Sequence, residues 1–286
     1  MTNTRSDHTH LALKAAIEAG NAIMEVYENP ILSEDKADGS PITLADRRAN
    51  AIIQDRLEQT GIPVVSEENT IPAYDERKSW GDYWLIDPLD GTKEFISKNG
   101  EFTVNIALIR EERPILGIVT APALHTAFFG GKDLPSRIIA DTRPLEDQTI
   151  PQEEQLFEKA GESLKDRGSP DQETIVVSRS HPDTQTEALI NQLAKINPSQ
   201  QTLAIGSSLK FCKLAAGEAN LYPRFTPTFE WDTAAAHAIL LAAGGEIFDL
   251  YTKKPLQYNK EDLHNPPFVA FARLKDSNRF FAEFAF

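Results

Sequence analysis

Cysteine is nearly absent. The 286-residue chain has one, Cys212, which excludes an internal disulfide and suits a reducing compartment. Set in an apolar helical stretch, that thiol reads as core packing. Positive charge is also short: 29 Lys and Arg stand against 43 Asp and Glu, a formal net charge of −14, and the pI is near 4.9. Such a balance disfavours nucleic acid or an anionic membrane as partner. Long hydrophobic runs are missing as well. Nothing approaches the roughly 18 apolar residues of a membrane span; the run Ala234–Ala243 is short and holds His237. Met1–His10 is polar, without the apolar core of a secretion signal, so a cytoplasmic location is expected. There is no GxxxxGK[ST] loop, which sets aside a P-loop nucleotidase.

What is present is carboxylate at the ends of apolar runs. Tyr83-Trp84-Leu85-Ile86 leads straight into Asp87-Pro88-Leu89-Asp90-Gly91-Thr92. Pro88 fixes φ and Gly91 permits a tight bend, so two acids three residues apart can turn toward one point. Together with the Leu89 carbonyl they offer the hard oxygen ligands that magnesium takes while keeping places for water and phosphate. An EF-hand fails here, because its ligand positions fall on Leu89, Gly91, Thr92 and Lys98. An aspartyl-nucleophile phosphatase would space its acids at i and i+2; the spacing here is i and i+3. An ordinary Asp-Pro and Asp-Gly turn is the plain alternative.

Other acids sit at comparable places. Glu67 and Glu68 end the run Ile62-Pro63-Val64-Val65-Ser66, and Asp232 follows Trp231 ahead of the helical segment Thr233–Ala243. As a helix-start residue Asp232 could cap that helix and still hold a metal. Asp46, after Ser40-Pro41-Ile42-Thr43-Leu44-Ala45, lies in the first turn of an amphipathic segment reaching about Gln59, where an acid suits the helix dipole.

These four segments, in this order and spacing, resemble the inositol monophosphatase superfamily, and within it the CysQ-type 3′(2′),5′-bisphosphate nucleotidase branch. The resemblance runs from about residue 10 to 140 and from about 174 to 275. It implies two or three Mg²⁺ ions held by Glu67, Asp87, Asp90, Asp232 and the Leu89 carbonyl. Asp46 and the Thr92 hydroxyl would orient and deprotonate the attacking water, and Gly91 would lie against the substrate. In place of the acid that inositol phosphatases tend to carry after the tyrosine, this chain has Tyr222-Pro223-Arg224. A guanidinium there favours a second anionic group over a polyol hydroxyl. Gly206-Ser207-Ser208-Leu209-Lys210 opens a short helix with backbone N–H groups, hydroxyl and ammonium suited to phosphate. The resemblance further implies that Ser207, Lys210 and Arg224 hold nucleotide phosphate and sugar, and that His181 lies against adenine. Ser180-His181-Pro182 also reads as a plain helix start.

The implied substrate is adenosine 3′,5′-bisphosphate, with the corresponding 5′-phosphosulfate as a second. The rival activity is an inositol or sugar phosphatase, and the rival class a non-catalytic nucleotide-binding regulator. A homodimer, peripheral association with the cytoplasmic face of a membrane, and lithium sensitivity are left open by the resemblance. The implied fold is a layered αβαβα sandwich of the inositol monophosphatase/fructose-1,6-bisphosphatase type. Residues 1–140 are expected as an α+β metal-binding half. Apolar patterning there places a helix from about Leu11 to Tyr27 and strands near 62–66, 83–87, 103–109, 114–120 and 124–129. Residues 174–286 are expected as an α/β substrate-binding half: strand 174–178, helix 183–196, strand 202–205, helix 207–216, strand 219–222, helix 232–243, then Glu246-Ile247-Phe248. Between them, 141–173 reads as an acidic surface insertion, with Leu156, Ala160 and Leu164 at helical spacing; a lid or an oligomer contact is the sharper alternative. A second mobile element is expected at Ser33–Ser40. His8, His10, His125, His237 and His264 show no metal-ligand spacing.

Overall fold

The computed structural model describes residues 4–29, 33–35, 41–146, 162–164, 170 and 172–284. Helix α1 (Thr4–Tyr27) comes first, then a small antiparallel pair of β1 (Ser33–Asp35) and β2 (Pro41–Thr43), then α2 (Leu44–Glu58). A seven-stranded sheet follows: β3 (Val64–Ser66), β4 (Asp82–Asp90), β5 (Thr103–Arg110), β6 (Arg113–Ala121), β7 (Thr126–Gly131), β8 (Leu134–Ile139) and β9 (Glu162–Ser163), in spatial order. Within this sheet β3 and β4 pair in parallel, and the other neighbouring strands pair antiparallel. Short helices α3 (Tyr74–Arg77), α4 (Thr92–Ile96) and α5 (Arg143–Glu146) lie in its connections.

The remainder alternates β10 (Thr174–Ser178), α6 (Thr184–Ile196), β11 (Gln201–Ile205), α7 (Leu209–Ala215), β12 (Leu221–Arg224), α8 (Ala234–Ala242), β13 (Glu246–Asp249), β14 (Phe268–Phe271) and α9 (Leu274–Glu283). Its strands form a second sheet in the order β11-β10-β12-β14-β13.

Period-2 alternation explains the layering, because successive strand residues face opposite ways. Trp84, Ile86, Val104 and Ile106 pack on α1 and α2 through Leu13, Ile17, Ile53 and Leu57. Tyr83, Leu85, Ala107 and Val119 face the other way, onto α7 and α8. The second sheet closes that middle core with Val176, Tyr222, Phe268 and Ala270, and turns Ile175, Leu221, Val269 and Phe271 toward α6 and α9. The result is the αβαβα sandwich. A strand buried on both faces reads as a continuous apolar run, as β4 and β5 do.

Helix α8 lies directly on the first sheet. A Cβ on Gly117 would fall 1.9 Å from the Ala235 carbonyl oxygen, so β6 can pass beneath the helix only as glycine. The Asp232 segment is thereby carried against the end of β4 rather than staying with its own sheet.

Several boundaries differ from the sequence reading. Helix α1 begins at Thr4 instead of Leu11, since its polar first turns still bury Thr9 and set His8 edge-on to Trp84 at 5.9 Å. The strand expected from 124 starts at Thr126, after a 3-10 turn at Pro122–Leu124 and a left-handed His125 (φ 50°). Asp183 caps α6, accepting from Thr186 N, so Pro182 precedes the cap instead of opening the helix. Leu164 does not lie on a helix: it follows β9, donates its N–H to Ser136 O and is buried, while Leu156 and Ala160 fall outside the described residues. Of the expected loop Ser33–Ser40, Ser33–Asp35 is strand β1, and 36–40 falls outside the described residues. Strands β8 and β14 and helix α9 carry too little periodicity in short, proline-flanked or polar stretches to be expected.

Candidate metal and phosphate site

Strand β4 runs through the acid pair with a bulge. Asp87 faces Asn105 on β5 and Asp90 faces Thr103, so three steps on one strand match two on the other. In a regular strand i and i+3 point to opposite faces; the extra residue turns both carboxylates the same way. Pro88, lacking an N–H, fits such an irregularity. Leu89 N donates to Asp87 Oδ1 at 3.0 Å. Gly91 then takes φ 90°, where a Cβ would also crowd Glu101 O at 3.2 Å.

Strand β3 brings Glu67 alongside, its N–H donating to Ile86 O at 3.2 Å. Asp232 arrives from a 3-10 turn, Glu230–Asp232, just ahead of α8. Its carboxylate does not cap α8, contrary to the sequence reading; Oδ2 accepts from Phe229 N at 2.7 Å, stabilising the turn before it. Glu67, Asp87 and Asp232 each place one carboxylate oxygen within 4.8 Å of the other two.

Burial pushes Asp87 well above the usual carboxylate range, with Glu67, Asp90 and Asp232 adding repulsion. Asp232 is raised in the same way, by burial first and by Asp90 and Glu67 next. Three crowded carboxylates of this kind gain strongly from a shared cation. An all-oxygen donor set suits a hard divalent ion such as Mg²⁺ and not a soft one, so these residues fit the metal.

Asp90 stands beside this trio. Its Oδ2 accepts from Ser208 Oγ at 3.0 Å and lies 3.4 Å from Asn105 Nδ2 and from Thr103 Oγ1. Burial raises Asp90, while Lys210, Ser208 and Asn105 pull the other way. Asp46 sits in a capping box at the start of α2: Oδ2 accepts from Thr43 N at 2.7 Å and Thr43 Oγ1 at 2.6 Å. Its other oxygen is 3.5 Å from Thr92 Oγ1, which also lies 3.4 Å from Leu89 O. Burial raises Asp46 against those Thr43 hydrogen bonds.

Beside the acids, a cavity of about 290 Å³ is lined by Glu67, Asp90, Thr92, Ser207, Lys210 and Arg224, with Gly91, His181 and Asp232 also on its wall. Lys210 is buried with its ammonium 5.6 Å from the Tyr222 ring centroid. Burial, partly offset by Asp90, lowers it to about 8. Arg224, on β12, is buried and donates Nε to Thr226 O at 3.2 Å. His181 is exposed by surface area yet crowded by neighbouring atoms; partial desolvation first, then Arg224 and Lys93, take it down to about 4. Behind His181 and Arg224 a hollow of about 130 Å³ continues, walled by Val177, Pro182, Ile190 and Pro223.

The phosphate cradle expected at Gly206–Lys210 is only partly available. Gly206 N donates to Glu101 Oε2 at 2.7 Å, and α7 begins at Leu209, after Ser207 in a left-handed conformation (φ 47°). Glu101 also takes both Arg179 Nε and Nη2 at 2.7 Å. With Lys93 Nζ 3.2 Å from His181 Nε2 and Ser180 Oγ hydrogen-bonded to Glu94, these pairs join the segment after the metal loop to the second sheet. Glu101 and Asn105 were not singled out by sequence reasoning, and Ser208 was read only as part of the Gly206–Lys210 segment. The signal for Asn105 was there, as an amide inside the apolar strand Thr103–Ile109. Of the remaining histidines, buried His237 bonds Glu246 and Tyr258, which makes it structural.

The model of the inositol monophosphatase family matches residues 5–277. A 3′(2′),5′-bisphosphate nucleotidase CysQ from Shigella flexneri is 43% identical over 258 residues, covering 88% of this chain and 95% of its own. The crystal structure of CysQ from Bacteroides thetaiotaomicron, described as a bacterial member of the inositol monophosphatase family, superposes with TM-score 0.85 at 41% identity, covering 94% of this chain and 98% of that one. An inositol monophosphatase from Zymomonas mobilis shares the fold at TM-score 0.72 and 24% identity, covering 97% of each.

Proposed function

The chain belongs to the inositol monophosphatase family, and from that premise we propose that it is a bisphosphate nucleotidase. In this reading it removes the 3′-phosphate of adenosine 3′,5′-bisphosphate, and of the related 5′-phosphosulfate, to leave AMP or its sulfated counterpart and inorganic phosphate. The observation that carries the reading is one hollow whose wall holds Glu67, Asp90 and Asp232 together with two buried cations, Lys210 and Arg224.

Glu67, Asp87 and Asp232 would hold Mg²⁺, and Asp90 and the Leu89 carbonyl would be further ligands. Bound there, the ion supplies Lewis acidity toward phosphoryl oxygen and toward water. Asp46 and Thr92, linked at 3.5 Å, orient a water and take its proton. Burial makes Asp46 a stronger base than an exposed aspartate. The new bond forms between that water oxygen and phosphorus while the bond from phosphorus to the 3′ oxygen breaks, and the departing 3′ oxygen takes a proton from solvent water. Lys210 and Arg224 hold the 5′-phosphate, and Ser207 the sugar. Neutral His181 lies against the base, which the hollow behind it receives. Little covalent work by protein is required, since phosphoryl transfer depends mainly on positioning and charge.

An inositol phosphatase would gain from an acceptor where buried Arg224 stands, and a pure binding protein would have no use for the Asp46–Thr92 pair. Among the described residues no helix is long and apolar enough to cross a membrane. We place the enzyme in the cytoplasm, consistent with a single, buried cysteine. Phosphate release from adenosine 3′,5′-bisphosphate and from inositol 1-phosphate, at matched concentration with Mg²⁺, tests the reading. Preference for the inositol ester removes the substrate assignment and leaves the metal site standing.

A further inference from the structure

Asn105 and Ser208 form a buried pair that touches both Asp90 and the Asp232 turn. Asn105 Nδ2 donates to Ser208 Oγ at 2.9 Å and lies 3.4 Å from Asp90 Oδ2. Ser208 Oγ is 3.0 Å from Asp90 Oδ2 and 2.9 Å from the Asp232 carbonyl oxygen. Both residues are 1% exposed. A hydroxyl carries one hydrogen, so Ser208 donates to Asp90 or to the Asp232 carbonyl at any moment, while Asn105 fills its acceptor side.

Packing alone does not explain the amide. Its neighbours on β5, Val104 and Ile106, are apolar, and Asn105 Oδ1 is buried without a protein partner. Leaving such a group unpaired costs about 1–3 kcal/mol, which a leucine or valine at that position would avoid. The register supplies the reason for its place: Asn105 sits directly across from Asp87, and the bulge brings Asp90 Oδ2 over it. Ser208 lies one residue before α7, the helix that carries Lys210.

Resting on the function proposed above, we propose that Asn105 and Ser208 are positioning residues for the metal centre. They fix the Asp90 carboxylate through Oδ2, so that Oδ1 is the oxygen left for the cation. They also tie Asp90 to the Asp232 turn and to the start of α7. Anion binding at Lys210 and cation binding at the carboxylates are thereby coupled through two neutral side chains. Residues behind metal ligands typically change metal affinity about 10–100-fold when removed.

The test measures Mn²⁺ binding to the whole protein by the loss of its free-ion paramagnetic resonance signal, with Mg²⁺ as competitor and no substrate. Ser208→Val and Ser208→Thr have the same shape and differ in the hydroxyl. We expect Ser208→Val and Asn105→Leu to weaken Mn²⁺ binding about tenfold or more, and Ser208→Thr to stay within about threefold of wild type. Thermal unfolding in EDTA checks that each variant is folded; if one is not, the other position decides. Equal affinity in all variants overturns the positioning role, as does equal weakening by valine and threonine, which is what packing alone would give. In the folded protein, adenosine 5′-phosphate should then tighten Mn²⁺ binding in wild type and not in Ser208→Val; the same gain in both overturns the coupling. A wild-type protein that binds no Mn²⁺ overturns the metal reading itself, a separate result.

Discussion

The acidic corner at the end of β4, buried at Asp87 and half-buried at Glu67 and Asp232, and the buried basic wall formed by α7 and β12 handle charge in different ways. The corner crowds like charges: Glu67, Asp87 and Asp232 each bring one carboxylate oxygen within 4.8 Å of the others, and burial with this repulsion raises the proton affinity of Asp87 and Asp232. The wall supports its cations with other groups, Lys210 over Tyr222 and near Asp90, and Arg224 on the Thr226 carbonyl. In the proposed function the first region needs an added cation and accepts any phosphate ester that the cation attracts. The second, in that reading, selects which ester stays.

The largest expected break of that division is Asp87→Asn. Metal Lewis acidity is worth several kcal/mol, and about 1.4 kcal/mol is tenfold in rate, so phosphate release should fall about 10³-fold. The loss should be the same for the bisphosphate and for a simple aryl phosphate; a loss confined to the bisphosphate would put Asp87 on the selecting side instead.

Asp46→Asn separates proton transfer from helix capping. An amide oxygen can still accept from Thr43, so stability should change by no more than about 1 kcal/mol, while kcat falls roughly 10²-fold or more for every substrate. A variant that unfolds early but retains kcat would make Asp46 a cap and nothing else.

Arg224→Glu tests the wall. Removing one member of a buried charge contact costs about 2–5 kcal/mol, so kcat/KM for the bisphosphate should drop roughly 10²-fold, with a much smaller loss for the aryl phosphate. Equal losses would contradict the assigned role.

The smallest effect concerns a buried charge that the protein balances by itself. Glu246 takes His237 Nε2 at 2.5 Å and Arg113 Nη2 at 2.9 Å. Burial alone would push Glu246 up, but His237 and Arg113 outweigh it and hold it below its usual value. His237 is held low by burial, against the pull of Glu246. Both folded values lie below the unfolded ones, so the unfolded chain binds more protons as pH falls. Their contribution is present above about pH 6.5 for His237 and above the usual carboxylate range for Glu246, and is lost on acidification. Glu246→Gln should lower the neutral-pH unfolding free energy by about 1.5–3 kcal/mol, flatten the acid decline, and leave Mg²⁺ affinity unchanged. A shift in Mg²⁺ affinity would mean this pair is no independent control.

Much of the acidic corner was legible in the chain. Asp87-Pro88-Leu89-Asp90-Gly91 carries its own geometry, because a proline and a glycine at those places leave few ways to turn, and the turn taken is the bulge with φ 90° at Gly91. Other details were hidden. That Asp232 stabilises its own 3-10 turn rather than capping α8, and that Gly206 N serves Glu101, depend on partners 3 and 105 residues away along the chain. The pairing of β9 with β8 joins part of the expected insertion to the first sheet, a contact no local period announces.

The sequence by itself determined the chemical kind of the site: which acids stand at strand ends, which cations an acidic chain keeps, and where the backbone must bend. Those follow from side-chain type and local φ preferences, which are written residue by residue. Only the tertiary structure decided which carboxylates crowd together, which one meets Asn105 and Ser208, and which N–H groups are already used. Those outcomes depend on strand register and on α8 lying against Gly117, and register and packing belong to pairs of distant segments rather than to any one of them.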